Sequence, residues 1–389
     1  MKSVAGRELH VEEHTQLLVI GAGPAGLAAA IDAAGRGIAV VLVDENPVSF
    51  KAMGEEVPQH YGQGMTGAAR NRNAMMESFI ASMPQIEAAF EAGVDVRLGT
   101  ACWGLYGNGS GVGWLPGTVV GLNDEERCWL MGAEQVIVAA GRRDMGLGFP
   151  GWEKPGVMGA TAAVSLARLH GAFAPRRIVM LGTSTEALTA ALALRDAGIE
   201  IAAIIEQAPE PVGPADLVSA LRGGDCEFLS GHVVREALGR ETVEAALVAA
   251  INATGHPVGE ARRIDCDGIV LAVGTTPVVD LLDALGCTIA FQPERSGYAP
   301  VVDADQRTSR RNVFAVGDCA GIWSSKSRDP RVSESEARRA VAAILSELGS
   351  GDGRAGQETV LPDPPTYDLS AYRLEWVRAS IIEAHTEFN

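Results

Sequence analysis

Residues 16–47 read QLLVIGAGPAGLAAAIDAAGRGIAVVLVDENP, and this stretch decides the fold of the chain. Four apolar residues, 17–20, run into Gly21-Ala22-Gly23-Pro24-Ala25-Gly26. An alanine-rich helical segment follows, and a second apolar run, 38–43, ends in Asp44-Glu45. Together these make a βαβ unit that carries the dinucleotide fingerprint in its proper context. Gly21 permits the tight turn, and Gly23 lets the backbone approach a pyrophosphate. Gly26, with Ala30 one turn later, lets the helix pack close to the sheet. The helix opens with Pro24 and Ala25, and the free N–H groups at its start face the phosphate. An acid at the end of the second strand accepts hydrogen bonds from a ribose; Asp44 is the first choice and its neighbour Glu45 the second. The glycine motif alone is weak evidence, but strand, helix and terminal acid together make it specific.

A length of 389 residues suits two or three domains with large buried cores. The 47% hydrophobic content, 46 glycines and 5% aromatics fit an alanine- and glycine-rich α/β enzyme. A net charge of −17 argues against nucleic acid or an anionic membrane surface as partner. Residues 1–16 are polar and lack the apolar core of a signal peptide, and no apolar run approaches a membrane span. A cytoplasmic protein is expected. Six cysteines (102, 128, 226, 266, 287, 319) are scattered without CxxC or CxxxxC spacing. That excludes a sequence-adjacent redox dithiol and any cysteine-rich metal motif, so no metal site is assigned. The plain reading is six small buried hydrophobes in a reducing compartment.

Taken in order, residues 50–66 are dotted with glycine and methionine, and are too irregular for an element and too long for a plain connection. They are expected to cover a ligand. Residues 69–93 read as helices broken at Pro84, with Met75, Met76, Phe79 and Ile80 on one core face. The texture then changes to short strands over 94–130, which fit a three-stranded antiparallel insertion. Residues 135–144 read as an apolar strand ending in small residues, Ala140 and Gly141, as chain passing close to a nucleotide requires. The Pro/Gly-rich run FPGWEKPGV, 149–157, reads as a boundary.

Beyond it a second βαβ unit is expected: strand 177–182, helix 183–198 and strand 199–206. Its turn, Gly182-Thr183-Ser184-Thr185-Glu186-Ala187, keeps only the first glycine. Ser184 stands where the second would let a pyrophosphate approach, and the Glu186 carboxylate at the helix start repels phosphate. This reads as a reduced second nucleotide site, with Gly182, Ser184, Glu206 and Gly274 as its candidate residues. Further strand and helix pairs are expected over 214–251, ending near Cys266, with a closing strand over 268–274. The run Val313-Phe-Ala-Val reads as a buried strand that ends in Gly317-Asp318, where the acid can bond a ribityl hydroxyl or a phosphate-bound water. Ser333-Glu334-Ser335-Glu336 has capping-box spacing and opens a helix over 337–348. A linker, 349–357, leads to a tail with a short amphipathic helix carrying Tyr372, Leu374, Trp376, Val377 and Ile381.

GAGPAG, VIVAAG, a second βαβ unit, VLAVGTTP and VFAVGD, in this order over residues 15–345, resemble the glutathione-reductase-like flavoproteins with two dinucleotide-binding domains. DENP, GRRDMGLGFPGWEKPGVMGA and GDCAGIW are similar to one branch of that class, the A-type (alpha) FAD-binding subunits of bacterial heteromeric amine and opine oxidases and dehydrogenases. The A-type chains of octopine and nopaline oxidase, the B-type chain of hydrogen cyanide synthase, and the alpha subunits of hydroxyproline or proline dehydrogenase and sarcosine oxidase belong there. The resemblance implies an α/β fold of two Rossmann-like domains, the second inserted in the first, with a small antiparallel β insertion. The expected parts are an FAD domain over 1–155 and 291–348, an NAD(P)-like domain over 156–290 and a tail over 349–389. It also implies that the helix after Gly317-Asp318 turns its positive end toward the flavin N1/C2 edge; the plain reading of that spacing is a good N-cap.

By the same resemblance FAD lies on Gly21, Gly23, Pro24, Ala25, Gly26, Asp44, Glu45, Ala140, Gly141, Gly317 and Asp318. NAD(P) or another adenine nucleotide is the candidate for the second domain. A D-amino-acid-oxidase-like beta subunit oxidises the C–N bond of an amine, and this chain relays the electrons. Two departures stand out. The family run DExPxxGGQ is here DENPVSFKAMGEE, and no cysteine follows Cys319 where many relatives continue into a [2Fe-2S] segment. An iron–sulfur centre or FMN is therefore expected only with partner subunits, such as a small [2Fe-2S] protein. Two other functions stay open: a stand-alone NAD(P)H-dependent FAD oxidoreductase, and a non-redox nucleotide-binding scaffold. His60, His170, His232 and His256 occur in unrelated contexts and read as surface or core, so no catalytic residue is assigned.

Overall fold

The computed structural model describes residues 9–47, 72–108, 115–168, 171–223 and 226–349. Strand β1 (Glu13–Ile20), helix α1 (Pro24–Gly35) and strand β2 (Val40–Asp44) form the first βαβ unit, with the strands parallel from Leu17↔Val40 to Ile20↔Val43. Leu17, Leu18 and Val19 are all fully buried, so the second half of this strand is a continuous apolar run rather than an alternating one. A parallel sheet covered on both faces requires that. Helix α1 buries Ala25, Gly26, Leu27, Ala29, Ala30 and Ala33, and its small side chains let the axis come close to the strands. At Gly26 a Cβ would land on the Gly21 carbonyl and 3.3 Å from the Ala139 Cβ. At Gly21 (φ +109°) it would land on the Ala139 carbonyl.

Helices α2 (Arg72–Ser82) and α3 (Gln85–Glu91) break around Pro84, and Phe79 is buried. Strands β3 (Asp95–Leu98), β4 (Ala101–Tyr106), β5 (Thr118–Asn123) and β6 (Cys128–Val138) follow. Strand β3 pairs with β2 in parallel, so it extends the main sheet and is not part of the antiparallel insertion. The insertion consists of β4, β5 and the start of β6. The separate strands expected on either side of residue 132 are one strand of 11 residues. Its first half pairs with β5 in antiparallel fashion, while Met131 to Val138 run parallel to β1. Gly132 is paired on both sides, with His14 of β1 and Val119 of β5, and lies against the His14 imidazole, where a side chain would collide.

The chain passes to a second compact unit between residues 143 and 144 and returns between 275 and 276. These crossings precede the expected 155/156 and 290/291. Phe149 already belongs to the core of the second unit, and Leu282 to that of the first. The second unit contains β7 (Val157–Gly159), α4 (Ala160–Arg168), β8 (Arg177–Leu181), α5 (Thr185–Asp196), β9 (Glu200–Glu206), α6 (Ala215–Arg222), β10 (Glu227–Ser230), β11 (His232–Leu238), β12 (Ala245–Ile251), β13 (Pro257–Asp265) and β14 (Gly268–Leu271). Five of the strands make a parallel sheet in the order β10-β9-β8-β14-β7. Strand β14, read as the closing strand, lies inside the sheet. The helix and strand pairs expected over 214–251 hold for α6 and β10 only; from residue 232 on, β11, β12 and β13 form an antiparallel sheet instead. Val234, Ala237, Ala246, Val248 and Ile264 from it pack on Val179, Leu181, Ala203, Ile205, Ile269 and Leu271. The flat small-residue face of β12 thus covers one side of the parallel sheet.

Back in the first unit, α7 (Asp280–Leu285) precedes the hairpin β15 (Ile289–Gln292) and β16 (Gly297–Pro300). Strand β17 (Val313–Ala315) then joins β6 in parallel, and α8 (Pro330–Gly349) packs against α1. Helix α8 starts at Pro330, not at 337, so Ser333 and Glu336 lie within it and form no capping box. The stretch 50–66 expected to cover a ligand, His60, His170, the linker and the expected tail helix lie outside the described residues. No helix among the described residues is long and apolar enough to cross a membrane.

Because the Gly26 contact is between backbone atoms, a side chain there forces α1 off the sheet. Gly26→Val is expected to lower the unfolding free energy by about 3 kcal/mol, read from a chemical denaturation midpoint. An unchanged midpoint would mean that this contact is not tight.

Candidate functional site

The strand registers bring four chain segments to one edge of the first sheet. Ile20 is opposite both Val43 and Val138, and Val138 is opposite Ala315. The residues that follow these positions therefore converge at the carboxyl ends of the strands: Gly21, Asp44, Ala139 to Gly141, and Gly317 with Asp318. Backbone bonds lock them together, from the Gly21 N–H to the Val43 carbonyl (2.8 Å), the Ala139 N–H to that of Ile20 (2.8 Å) and the Val316 N–H to that of Val138 (3.0 Å). Ligands of open α/β sheets bind at this end. A cavity of about 1450 Å³ opens at the opposite end, beside Thr15, Gln16 and Val313, and plays no part in this arrangement.

Helix α1 starts without a side-chain cap. Its N-cap is Gly23, Pro24 fills the first turn and no acid is present there. The N–H groups of that turn thus have no side chain of their own helix competing for them, and the helix dipole adds positive potential. A Cβ built on Gly23 meets nothing within 4 Å, unlike those on Gly21 and Gly26. The chain has a glycine here with no packing reason for it, and the open space lies against bare donors. That cradle fits a pyrophosphate. Asp44 accepts from the Ala22 N–H (2.6 Å) and from the Asn46 N–H (2.7 Å). Both oxygens keep free lone pairs for a hydroxyl donor. Asp44, not Glu45, is thus turned onto the glycine loop. Glu45 is pushed above the ordinary carboxylate range, by the surrounding protein first and by the Asp44 charge second.

At the far side of the same edge Gly141 (φ +73°) leaves open space around its Cα. The Asp318 carboxylate is 26% exposed and 3.6 Å from the Arg142 Nε. Arg142 also reaches the Ser327 hydroxyl at 3.4 Å. Behind this turn lies a pair that sequence reasoning missed. The Lys326 ammonium and the Glu336 carboxylate, 0% and 5% exposed, meet at 2.8 Å. The signal was present, since Glu336, Ala340 and Ile344 share one buried helix face, and an acid on such a face needs a buried partner.

The second unit repeats the packing of the first but not its open cradle. Gly182 (φ +101°) would clash with the Ala272 carbonyl as Gly21 would with that of Ala139, and the Gly182 N–H bonds the Ile205 carbonyl at 2.8 Å. Here, however, Ser184 caps α5, its hydroxyl accepting from the Ala187 N–H at 3.2 Å, with Glu186 in the first turn. Glu206 accepts from the Thr183 hydroxyl and from the Ala208 N–H (2.8 Å). The Val212 N–H bonds that same hydroxyl at 3.0 Å, and Gly213 packs on the Thr183 carbonyl. Gly274 accepts from the Met145 N–H at 3.0 Å.

All six cysteines are free thiols. Burial pushes Cys102 up to about 12, and Cys226, Cys266 and Cys319 up to about 11, which disfavours the reactive thiolate. No group of His, Cys, Asp and Glu side chains among the described residues could hold a metal ion. His232 Nδ1 lies 2.8 Å from the Ser230 carbonyl on β11, away from the glycine turn in sequence and in unit.

The A-type chain of opine oxidase from Agrobacterium tumefaciens (strain Ach5) is 28% identical to this chain over 85% of it and 65% of the relative. The alpha chain of sarcosine oxidase from Corynebacterium sp. (strain P-1) is 29% identical over 70% of this chain and 27% of the relative. The chain thus spans less than two thirds of the length of these relatives. Among solved structures, thioredoxin reductase of T. acidophilum superposes with a TM-score of 0.61 at 21% identity, covering 87% of this chain and 99% of that one. Its likeness is one of fold. The family model for pyridine nucleotide-disulphide oxidoreductases matches residues 15–344. The chain belongs to the pyridine nucleotide-disulphide oxidoreductase family, with its two dinucleotide-binding units, and it binds FAD.

Proposed function

We propose that this chain is the FAD-binding subunit of a heteromeric amine or amino-acid oxidase or dehydrogenase, and that it carries electrons taken from the substrate by a separate catalytic flavoprotein subunit. The observation that supports this reading best is the contrast between the two glycine turns. One is an open, uncapped cradle, and the other is filled by its own chain. A reductase that takes hydride from NAD(P)H needs a second nucleotide grip, and here Ser184 and Glu206 are committed to their own turn or helix start, while Glu186 puts a negative charge in the first turn. A dithiol reductase needs a pair of neighbouring cysteines, and the six here are free thiols without CxxC or CxxxxC spacing, three of them buried and Cys128 exposed. Two relatives named as subunits, of opine oxidase and of sarcosine oxidase, favour the same class of reaction.

In this reading the uncapped start of α1, with the N–H groups of Gly23, Ala25 and Gly26 and no side chain in the way at Gly23, holds the FAD pyrophosphate beside Gly21 and Pro24. Asp44 holds the adenosine ribose with Glu45 beside it, Ala140 and Gly141 leave room for the cofactor to pass, and Gly317 with Asp318 meets the ribityl chain. Arg142 offsets the Asp318 charge and steadies that carboxylate. FAD supplies the electron-accepting group, and the chain's own contribution is position and electrostatics. The partner is a D-amino-acid-oxidase-like protein, a small [2Fe-2S] protein is a further candidate, and the assembly works in the cytoplasm.

Gly23→Val is expected to leave the circular dichroism spectrum unchanged, because its Cβ meets nothing, and to weaken FAD binding by about tenfold or more. Unaltered affinity in a folded variant would move the pyrophosphate elsewhere. A second test is reduction of the bound flavin, followed by its visible absorbance. A panel of secondary amines (sarcosine, hydroxyproline, octopine) is expected to bleach it only in the complex with the catalytic subunit. Reduction of the isolated chain by NADH at catalytic rates would favour the stand-alone reductase, and no reduction in either form would favour the scaffold.

A further inference from the structure

The Lys326–Glu336 pair is buried beneath the edge where Asp318 stands, and its hydrogen bonds are unusually complete. An ammonium has three donors and no acceptor. Those of Lys326 go to the Gly317 carbonyl (2.7 Å), the Gly321 carbonyl (2.9 Å) and the Glu336 carboxylate (2.8–3.0 Å). Glu336 also accepts the Gly317 N–H at 2.9 Å. One ion pair therefore holds both polar groups of the Gly317 backbone. The Trp323 ring covers the ammonium at 4.5 Å. On its other side Gly317 (φ +72°) is pressed on the first turn of α1, where a Cβ would come 2.8 Å from the Ala25 Cβ. Asp318, the next residue, faces outward.

Burying two charges costs desolvation that an apolar pair of similar size would avoid. What an apolar pair could not do is grip one peptide unit by its donor and its acceptor at once. We infer that Lys326 and Glu336 are positioning residues for FAD: they fix Gly317 against Ala25 so that Asp318 is presented to the cofactor. This inference rests on the reading that FAD lies along the glycine turn and Asp318.

The test compares FAD dissociation constants of the apo chain by fluorescence titration. Lys326→Met combined with Glu336→Met removes both bonds to Gly317 without leaving an unpaired buried charge. The doubly substituted apo chain is expected to stay folded and to bind FAD about tenfold more weakly or worse, because the site is no longer preorganised. In an Asp318→Ala background the same pair of changes is expected to cost nothing further, since the pair acts through Asp318. Wild-type affinity in the doubly substituted chain, or losses that simply add to that of Asp318→Ala, would overturn the inference. Should that chain not fold, Glu336→Gln replaces it in the same cycle, with a loss of about threefold expected and no loss overturning the proposal. Gly23→Val separates the two readings. If it retains FAD, the cofactor site itself is misplaced; if it loses FAD while the pair can be removed without effect, only the role of the pair fails.

Discussion

The first unit depends on a contact made of backbone. Gly21, Gly26 and Ala139 meet where no side chain fits between the start of α1 and the end of β6. This approach sets the height of the helix over the sheet and aims its first N–H groups outward at the strand ends. It also leaves Gly23, in the same loop, facing open space. Packing and binding therefore make different demands on neighbouring glycines, and the Cβ geometry separates them: Gly21 and Gly26 are needed by the fold, while Gly23 is free for a ligand.

The second unit shows that separation again. Gly182 and Ala272 reproduce the packing contact, with Ala187, buried, at the position of Gly26. The features that face a phosphate are replaced. A serine hydroxyl caps the helix, an acid enters its first turn, and the strand-end Glu206 is bound to the turn itself. Such a unit keeps the architecture of a dinucleotide fold after its phosphate-facing donors have been given to its own side chains. The chain thus has two similar frames with unequal chemistry.

The parts legible in the sequence are those fixed by local geometry. The GAGPAG turn, the apolar runs before it and after it, and the acid at residue 44 follow from positive φ, helix approach and strand burial, all short-range matters. The elements that escape such reading depend on a partner elsewhere. Strand β6 is continuous through Gly132 because that glycine pairs with β1 on one side and β5 on the other. The alanine-rich run at 245–251 is a strand because a flat face was needed on the second parallel sheet. Glu336 offers a local explanation, capping-box spacing, which hides its real partner ten residues upstream. A buried acid on an apolar helix face identifies the need for a counter-charge, but only the folded chain names Lys326.

One open glycine cradle beside one filled by its own chain amounts to a single complete nucleotide grip. The most direct test is the adenine nucleotide content of the purified full-length chain, released by denaturation and quantified against protein. One FAD per chain and no second adenine nucleotide is the predicted result. A folded chain that releases no FAD, or one that releases a second nucleotide in equal amount, would contradict it.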